Sequence, residues 1–277
     1  MAGRALVLGG GGVTGVAWEI GMLAGLAEAG VDLTGADVVI GTSAGSVVGA
    51  LVAGGLDPRE MYASQLGPPG TEIPARLSPV TLLRWGLAMV GRRDQQRARA
   101  RVGAIALAAR TVPEQERRKV IAARLDQEQW PERELLITAV DARTGEFVVF
   151  DREQGVELVD AVGASCAVPG VWPPVSIGGR RFVDGGVRSP VNADLAAGHD
   201  RVVILAPVTA SFGARTSPPA GAVLVRPDKA ARQAFGRNVL DPAHRAAAAR
   251  AGHAQAKDEA ERVGAAWRGA RSEPEDR

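Results

Sequence analysis

Residues 41–45 read G-T-S-A-G, the G-x-S-x-G pattern of a serine set on a sharp turn. An apolar, strand-like run (D-V-V-I-G, 37–41) leads into it, and an apolar, helix-like run (A-G-S-V-V-G-A-L-V-A, 44–53) leaves it. A strand–turn–helix of this kind lifts the serine hydroxyl clear of the sheet. Bulky neighbours would clash there, so Gly41 and Gly45 bracket Ser43. The helix that follows aims its first N–H groups at the serine and favours negative charge beside it. The chemistry is that of a nucleophile attacking a carbonyl. A tight turn needing small residues only for packing would leave the same pattern.

Upstream, R-A-L-V-L (4–8) reads as a short buried strand that runs into G-G-G-G-V-T-G (9–15). Gly10, Gly12 and Gly15 satisfy G-x-G-x-x-G between a strand and a helix, which is the dinucleotide fingerprint. That reading wants an acid about 20 residues on, at the end of the next strand. Asp32 and Asp37 stand before that strand, and Thr42-Ser43 stands at its end. A Walker-type phosphate loop is excluded, because no Gly-Lys-Ser/Thr follows. The other reading is an oxyanion hole, in which successive glycine amides face a developing alkoxide. The loop by itself leaves both open.

Residues 184–186 read D-G-G after the strand-like R-R-F-V. An aspartate at the end of a strand in an α/β sheet stands at the edge where such folds collect their sites, with the elbow and the glycine loop. A turn aspartate is the plain alternative.

The glycine loop, G-T-S-A-G-S (41–46), A-S-C-A-V-P-G-V-W-P-P-V (164–175) and D-G-G follow one another in the order and spacing of the patatin-like phospholipases. Over roughly residues 4–210 the chain resembles that family in its bacterial form. The resemblance implies a three-layer α/β/α fold around a central, mostly parallel sheet. It implies a Ser–Asp dyad that cleaves carboxylic esters of lipids (phospholipid or lysophospholipid) through an acyl-enzyme. Ser43 is then the nucleophile, Asp184 the base, and the amides of Gly10, Gly11 and Gly12 the oxyanion hole. Gly15, Gly41, Gly45, Gly185 and Gly186 shape the motifs, and neither cofactor nor metal ion is implied. The sequence departs from the family at Thr14, where many members carry Lys or Arg; the missing cation weakens anion binding or alters substrate preference. The alternatives are a thioesterase or acyltransferase with the same dyad, and a non-catalytic lipid- or nucleotide-binding protein.

A histidine-based triad has candidates too. His199, His244 and His253 follow Asp184, in the order nucleophile, acid, histidine of α/β-hydrolases. His199 stands just before the strand-like R-V-V-I-L, but Gly198 and Asp200 beside it make a surface turn. The resemblance has the aspartate act alone.

The elements that position these residues alternate. After the first strand a helix is expected from Thr14 to Ala29, closed by Gly30, and then the strand and helix of the elbow. Residues 56–130 read as a helical, Arg-rich insertion or lid broken by Pro68-Pro69, Pro74, Pro79 and Pro113. Strand-like runs return at 135–140, 146–150, 181–184, 201–205 and 223–225, followed by Ala-rich helix to about Trp267. The expectation is a single catalytic domain over 1–268 and a frayed tail over 269–277.

Of 277 residues, 46% are hydrophobic and 23% charged, enough apolar material for one large α/β domain. The net charge of +2 and 4% aromatics give no basic face with stacking rings, so no nucleic-acid partner is expected. The lone Cys166 forms no internal disulfide and reads as a small packed residue, which fits a reducing, cytoplasmic location. No stretch is long and apolar enough to span a bilayer. The expected partner is a lipid or acyl-ester substrate, with transient contact at a membrane surface and no oligomeric state assigned. Arg92, Arg93, Arg97, Arg99 and Arg101 read as a solvated helix face rather than a lipid-binding patch, and the five tryptophans as packing residues.

Overall fold

The computed structural model describes residues 3–68, 72–89, 94–209 and 217–268. The expected tail, and Arg92 and Arg93 of the basic run, lie outside the described residues. The chain opens with β1 (Arg4–Leu8), α1 (Gly12–Glu28), β2 (Val38–Gly41) and α2 (Ala44–Ala53). The insertion contributes α3 (Pro58–Leu66), α4 (Pro79–Met89), α5 (Gln95–Ala108) and α6 (Glu114–Ala122). Then come β3 (Glu134–Asp141), β4 (Phe147–Phe150), α7 (Leu158–Ser165), β5 (Val175–Ile177) and β6 (Arg180–Asp184). The chain ends with β7 (Arg201–Leu205), β8 (Val223–Val225), α8 (Lys229–Phe235) and α9 (Arg245–Arg268).

The expected strands and helices form within a residue or two at their ends, except that the expected C-terminal helix is broken after Phe235 at Gly236 (φ 66°) into α8 and α9. The three-residue β5 escapes the sequence reading, because it follows Pro173-Pro174 and is too short to show a period. All strands join one sheet in which β2, β1, β7 and β8 run parallel with β3, while β4 and β6 pair antiparallel to β3. Alternation sends Leu6 and Leu8 into a large core under α1, α2, α7 and α9. Ala5 and Val7 face a thinner layer with Ala193 and Ala196, and Ala106 of α5 packs on Val140 and Val183 nearby. Helical material thus covers both faces.

Helix α1 is apolar nearly all round because it is buried between the sheet and α9. A Cβ at Gly21 would collide with the Ala249 carbonyl, and one at Gly252 with the Trp18 carbonyl, so α1 and α9 cross backbone on backbone. Gly30 (φ 80°) closes α1, with the Val31 N–H donating to Leu26 O at 2.8 Å, the bond of a Schellman cap. Among the described residues, no helix is long and apolar enough to cross a membrane.

Candidate active site

Ser43 sits between β2 and α2 with φ 52° and ψ −114°, a backbone conformation that costs on the order of 1–3 kcal/mol for a residue with a Cβ. The surroundings enforce it. The Gly45 N–H donates to Gly9 O (3.0 Å) and to Thr42 O (2.9 Å), and a Cβ at Gly45 would strike the Leu8 carbonyl. The Ser43 N–H donates to Ser165 Oγ at 2.9 Å. Its carbonyl accepts from Ser46 Oγ (2.7 Å) and Cys166 Sγ (3.3 Å). Cys166 is therefore the small packed residue expected, but it packs on the elbow itself. The Ser43 side chain makes no capping bond to α2, which leaves its hydroxyl to face the cavity.

Asp184 meets Ser43 through an unusual use of β3. Ile137 pairs with Gly41 of β2 and with Phe150 of β4, while Ala139 pairs with Asp184 of β6 and Val148 of β4. A strand has two edges, so β2 and β6 share one edge of β3 end to end, and β4 takes the other. Asp184 thus arrives head-on at the turn that follows β2. Asp184 does stand at the end of a strand; β6 is antiparallel to β3, and it reaches the site because the β5–β6 hairpin enters from beyond that edge. Asp184 is 6% exposed, and burial raises its carboxyl from 3.8 to about 6. Hydrogen bonds from the Ser43 side chain and from the Gly186 N–H, the latter at 2.7 Å, restrain that rise.

Behind the pair lies a buried polar knot that sequence reasoning missed. Thr42 and Thr138 hydroxyls are 2.9 Å apart. Asn192, in a left-handed backbone conformation, donates through Nδ2 to Thr42 Oγ1 (3.0 Å) and Ser189 O (2.8 Å). Its Oδ1 accepts from Arg188 at 2.8 Å. The knot ties the elbow, β3 and the D-G-G turn to one another. Asn192 lies eight residues beyond Asp184, and no local pattern marks it.

The glycine loop needs one correction. The Gly10 N–H donates to Pro190 O at 2.7 Å, so it is not free to receive an oxyanion. Gly12 and Val13 begin α1 and Ala44 begins α2, positions whose N–H groups find no partner within a helix. Among the described residues these three amides, and that of Gly11, make no other backbone bond. Gly12, Val13, Ser43 and Ala44 line one cavity of about 20 Å³. Gly12 holds φ 61° with Val239 and Leu240 packed against it, which no larger residue tolerates. Thr14 points away from the site, its amide and hydroxyl both directed at Val239 O (3.1 and 3.4 Å). Val239 and Leu240 pack over the loop at Gly12, where a pyrophosphate would have to lie, and no acid stands at the end of β2, so the dinucleotide reading fails.

The same cavity is bounded by Arg117, Arg124, Cys166, Val168, Trp172 and Leu240. Beyond Val13, Val16 and Arg124 lies a second cavity of about 360 Å³, with Ile20, Val47, Leu51 and Met61 on its walls. No histidine borders either one. His199 Nδ1 lies 3.3 Å from Ala196 O and its ring packs beside Gly3, at the opposite end of β1. His244 lies 3.1 Å from Ala234 O, and His253 stacks on Tyr62 and meets Glu28 at 3.0 Å.

A mostly parallel α/β sheet with an elbow serine, a facing carboxyl group and free amides at one edge has the design of an acyl hydrolase. A sequence model described as patatin-like phospholipase matches residues 6–197, most of the chain, and the protein belongs to that family of lipid acyl hydrolases. Among solved structures it is similar to VipD from Legionella pneumophila (14% identity, TM-score 0.49, 95% of this chain and 67% of that one). It is also similar to the type III effector protein ExoU (19% identity, TM-score 0.43, 95% of this chain and 54% of that one). ExoU of Pseudomonas aeruginosa, in complex with SpcU, gives 18% identity and a TM-score of 0.40 over 96% of this chain and 53% of that one. The chain thus spans about two thirds of VipD and about half of ExoU. No curated protein matches it.

Proposed function

We propose that the protein hydrolyses carboxylic ester bonds of phospholipids or lysophospholipids, with Ser43 as nucleophile and Asp184 as the only general base. The observation that carries this reading is the strained Ser43 facing a buried carboxyl whose pKa of about 6 leaves it mostly ionised, yet basic, at neutral pH. Asp184 takes the Ser43 proton as Oγ attacks the ester carbonyl. The oxyanion that forms faces the amides of Gly11, Gly12 and Ala44, near the positive ends of α1 and α2. As the tetrahedral intermediate collapses, Asp184 returns the proton to the leaving alcohol and an acyl-enzyme remains. Water then attacks with Asp184 again as base, and Ser43 is released.

The 360 Å³ cavity, within the range of ligand pockets, takes the acyl chain along Val13 and Val16. Contact with the lipid surface falls to α4. Leu83 and Leu87 are 64% and 66% exposed on one face, Arg76 and Arg84 are exposed nearby, and Thr81 packs against Gly170 at the rim of the site.

Ser43→Ala tests the reading. Alanine fits the same turn, so the protein stays folded, and loss of a nucleophile lowers kcat by up to about 10⁶. A folded Ser43→Ala protein that cleaves a p-nitrophenyl acyl ester at the wild-type rate would end the proposal.

A further inference from the structure

A buried guanidinium is ordinarily surrounded by a carboxylate or by carbonyl oxygens. Arg117 of α6 is 6% exposed, and its Nε and Nη1 are buried with no hydrogen-bond partner among the described residues. Its guanidinium lies over the Trp172 ring, 3.8 Å from the centroid. That contact engages the face of the group and leaves donors at its edge unfilled. Arg124 nearby is a second cation, and Glu72 already holds it in a bidentate pair (Nε–Oε1 2.9 Å). Burial and Arg124 push the Arg117 pKa down to about 10, so it is charged at neutral pH.

This cation borders the cavity that contains Ser43. Of the residues lining that cavity, Arg117 and Arg124 are the charged ones, and among the described residues Arg117 forms no ion pair, with Glu72 acting on it only at a distance. The glycine loop supplies no cation, since Thr14 is turned toward Val239. A planar fork of N–H donors matches a phosphate or carboxylate bidentately. In a glycerophospholipid the phosphate lies only a few bonds from the ester carbonyl, whereas a neutral glyceride has nothing to offer there.

We propose that Arg117 is a specificity-determining residue that binds the phosphate of the substrate while Ser43 attacks the neighbouring ester; this rests on the acyl hydrolase reading above. The test needs no turnover. Non-hydrolysable ether lipids of equal chain length, an alkyl glycerophosphoglycerol and an alkylglycerol, are titrated calorimetrically into wild type, Arg117→Met and Arg117→Lys, with inorganic phosphate as a third ligand. Wild type is expected to prefer the phosphate-bearing ether by about tenfold or more, and Arg117→Met to bring the two within about twofold. Arg117→Lys keeps the charge without the fork and should give an intermediate preference; it carries the test if the methionine variant is unstable. Equal binding of the two ethers by wild type, or full wild-type preference in either variant, overturns the proposal. Inorganic phosphate binding as tightly as the ether lipid overturns it as well, since the occupant would then be a free anion. An enzyme that cleaves no ester would undo the reading of the catalytic pair, while the anion subsite would still stand or fall on these isotherms.

Discussion

At Asp184 three effects compete, and burial wins. Two hydrogen bonds favour the carboxylate, yet loss of solvent raises its pKa from 3.8 to about 6. A carboxyl group left at its ordinary value would be a poor proton acceptor for a serine hydroxyl; one near neutrality combines ionisation with basicity. The pH dependence follows with a definite sign. Asp184 must be ionised to act, so kcat/KM for a soluble ester should fall about tenfold per pH unit below an inflection near 6, and level off above it. Asp184→Asn should reduce hydrolysis by on the order of 10³ or more, as removal of an essential triad member does. Replacing His199, His244 and His253 together with glutamine should leave the rate within about tenfold and the inflection in place, because each is engaged away from the cavity. A profile flat from pH 5 to 8, or an inflection that vanishes in the triple-histidine protein, would remove Asp184 from the role of base. The Ser43 strain belongs to the same design, since only a neighbourhood that over-determines the turn keeps it.

Among the elements, those that read clearly in the sequence are those whose signal is local. Strand, glycine turn and helix follow one another within residues 4–53, and burial, period and breaking residues agree there. At Asp184 the D-G-G turn and the strand before it are legible in the sequence, but the antiparallel direction of β6 depends on its pairing with Asp141, Val140 and Ala139. Long-range pairing leaves no mark within a short window. Arg117 was invisible for the same reason, being one arginine of a charged helix until α6 docks it against Trp172. Arg97 and Arg101 met the expectation of a solvated face, while Arg99 turns in to Gly145 O at 2.7 Å. Helix α4 is the converse case, an amphipathic element whose apolar stripe is left in solvent. Leu83→Asp with Leu87→Asp should lower binding to phosphatidylglycerol vesicles by about tenfold or more, given roughly 1.5–3 kcal/mol for each buried leucine. Cleavage of a soluble ester should be unchanged. Vesicle co-sedimentation equal to wild type would remove α4 from the lipid contact.

In the molecule as a whole, the helical layer on the site's side encloses a carboxyl group that has no hydrogen-bond partner among the described residues. Glu19 lies on α1, fully buried between the sheet and α9, and neither carboxyl oxygen meets a hydrogen-bond donor. Burial raises its pKa well above the ordinary 4.5, and the Gly9 N–H nearby, which donates to Leu205 O at 2.9 Å, opposes this only in part. A neutral carboxyl in the folded state and an ionised one in the unfolded state penalise folding as pH rises. Below about pH 4.5 both states hold the proton and the penalty is absent; above it the unfolded chain alone releases the proton. Stability should then fall by as much as about 1.4 kcal/mol per pH unit for this group until the folded pKa is reached. Asp184 adds a second loss of the same sign, confined between 3.8 and about 6. The Asp184 loss is inseparable from the proposed base, whereas the Glu19 loss serves no step of the reaction. Glu19→Gln keeps the shape and removes the titration. Its melting temperature should match wild type near pH 4.5 and exceed it by a margin that widens as pH rises until the folded pKa is passed, with kcat/KM on a soluble ester unaltered. Melting curves of the two proteins that stay parallel from pH 5 to 8 would mean that Glu19 is ionised in the folded state, and that a counter-charge or water reaches it inside the α1–α9 layer.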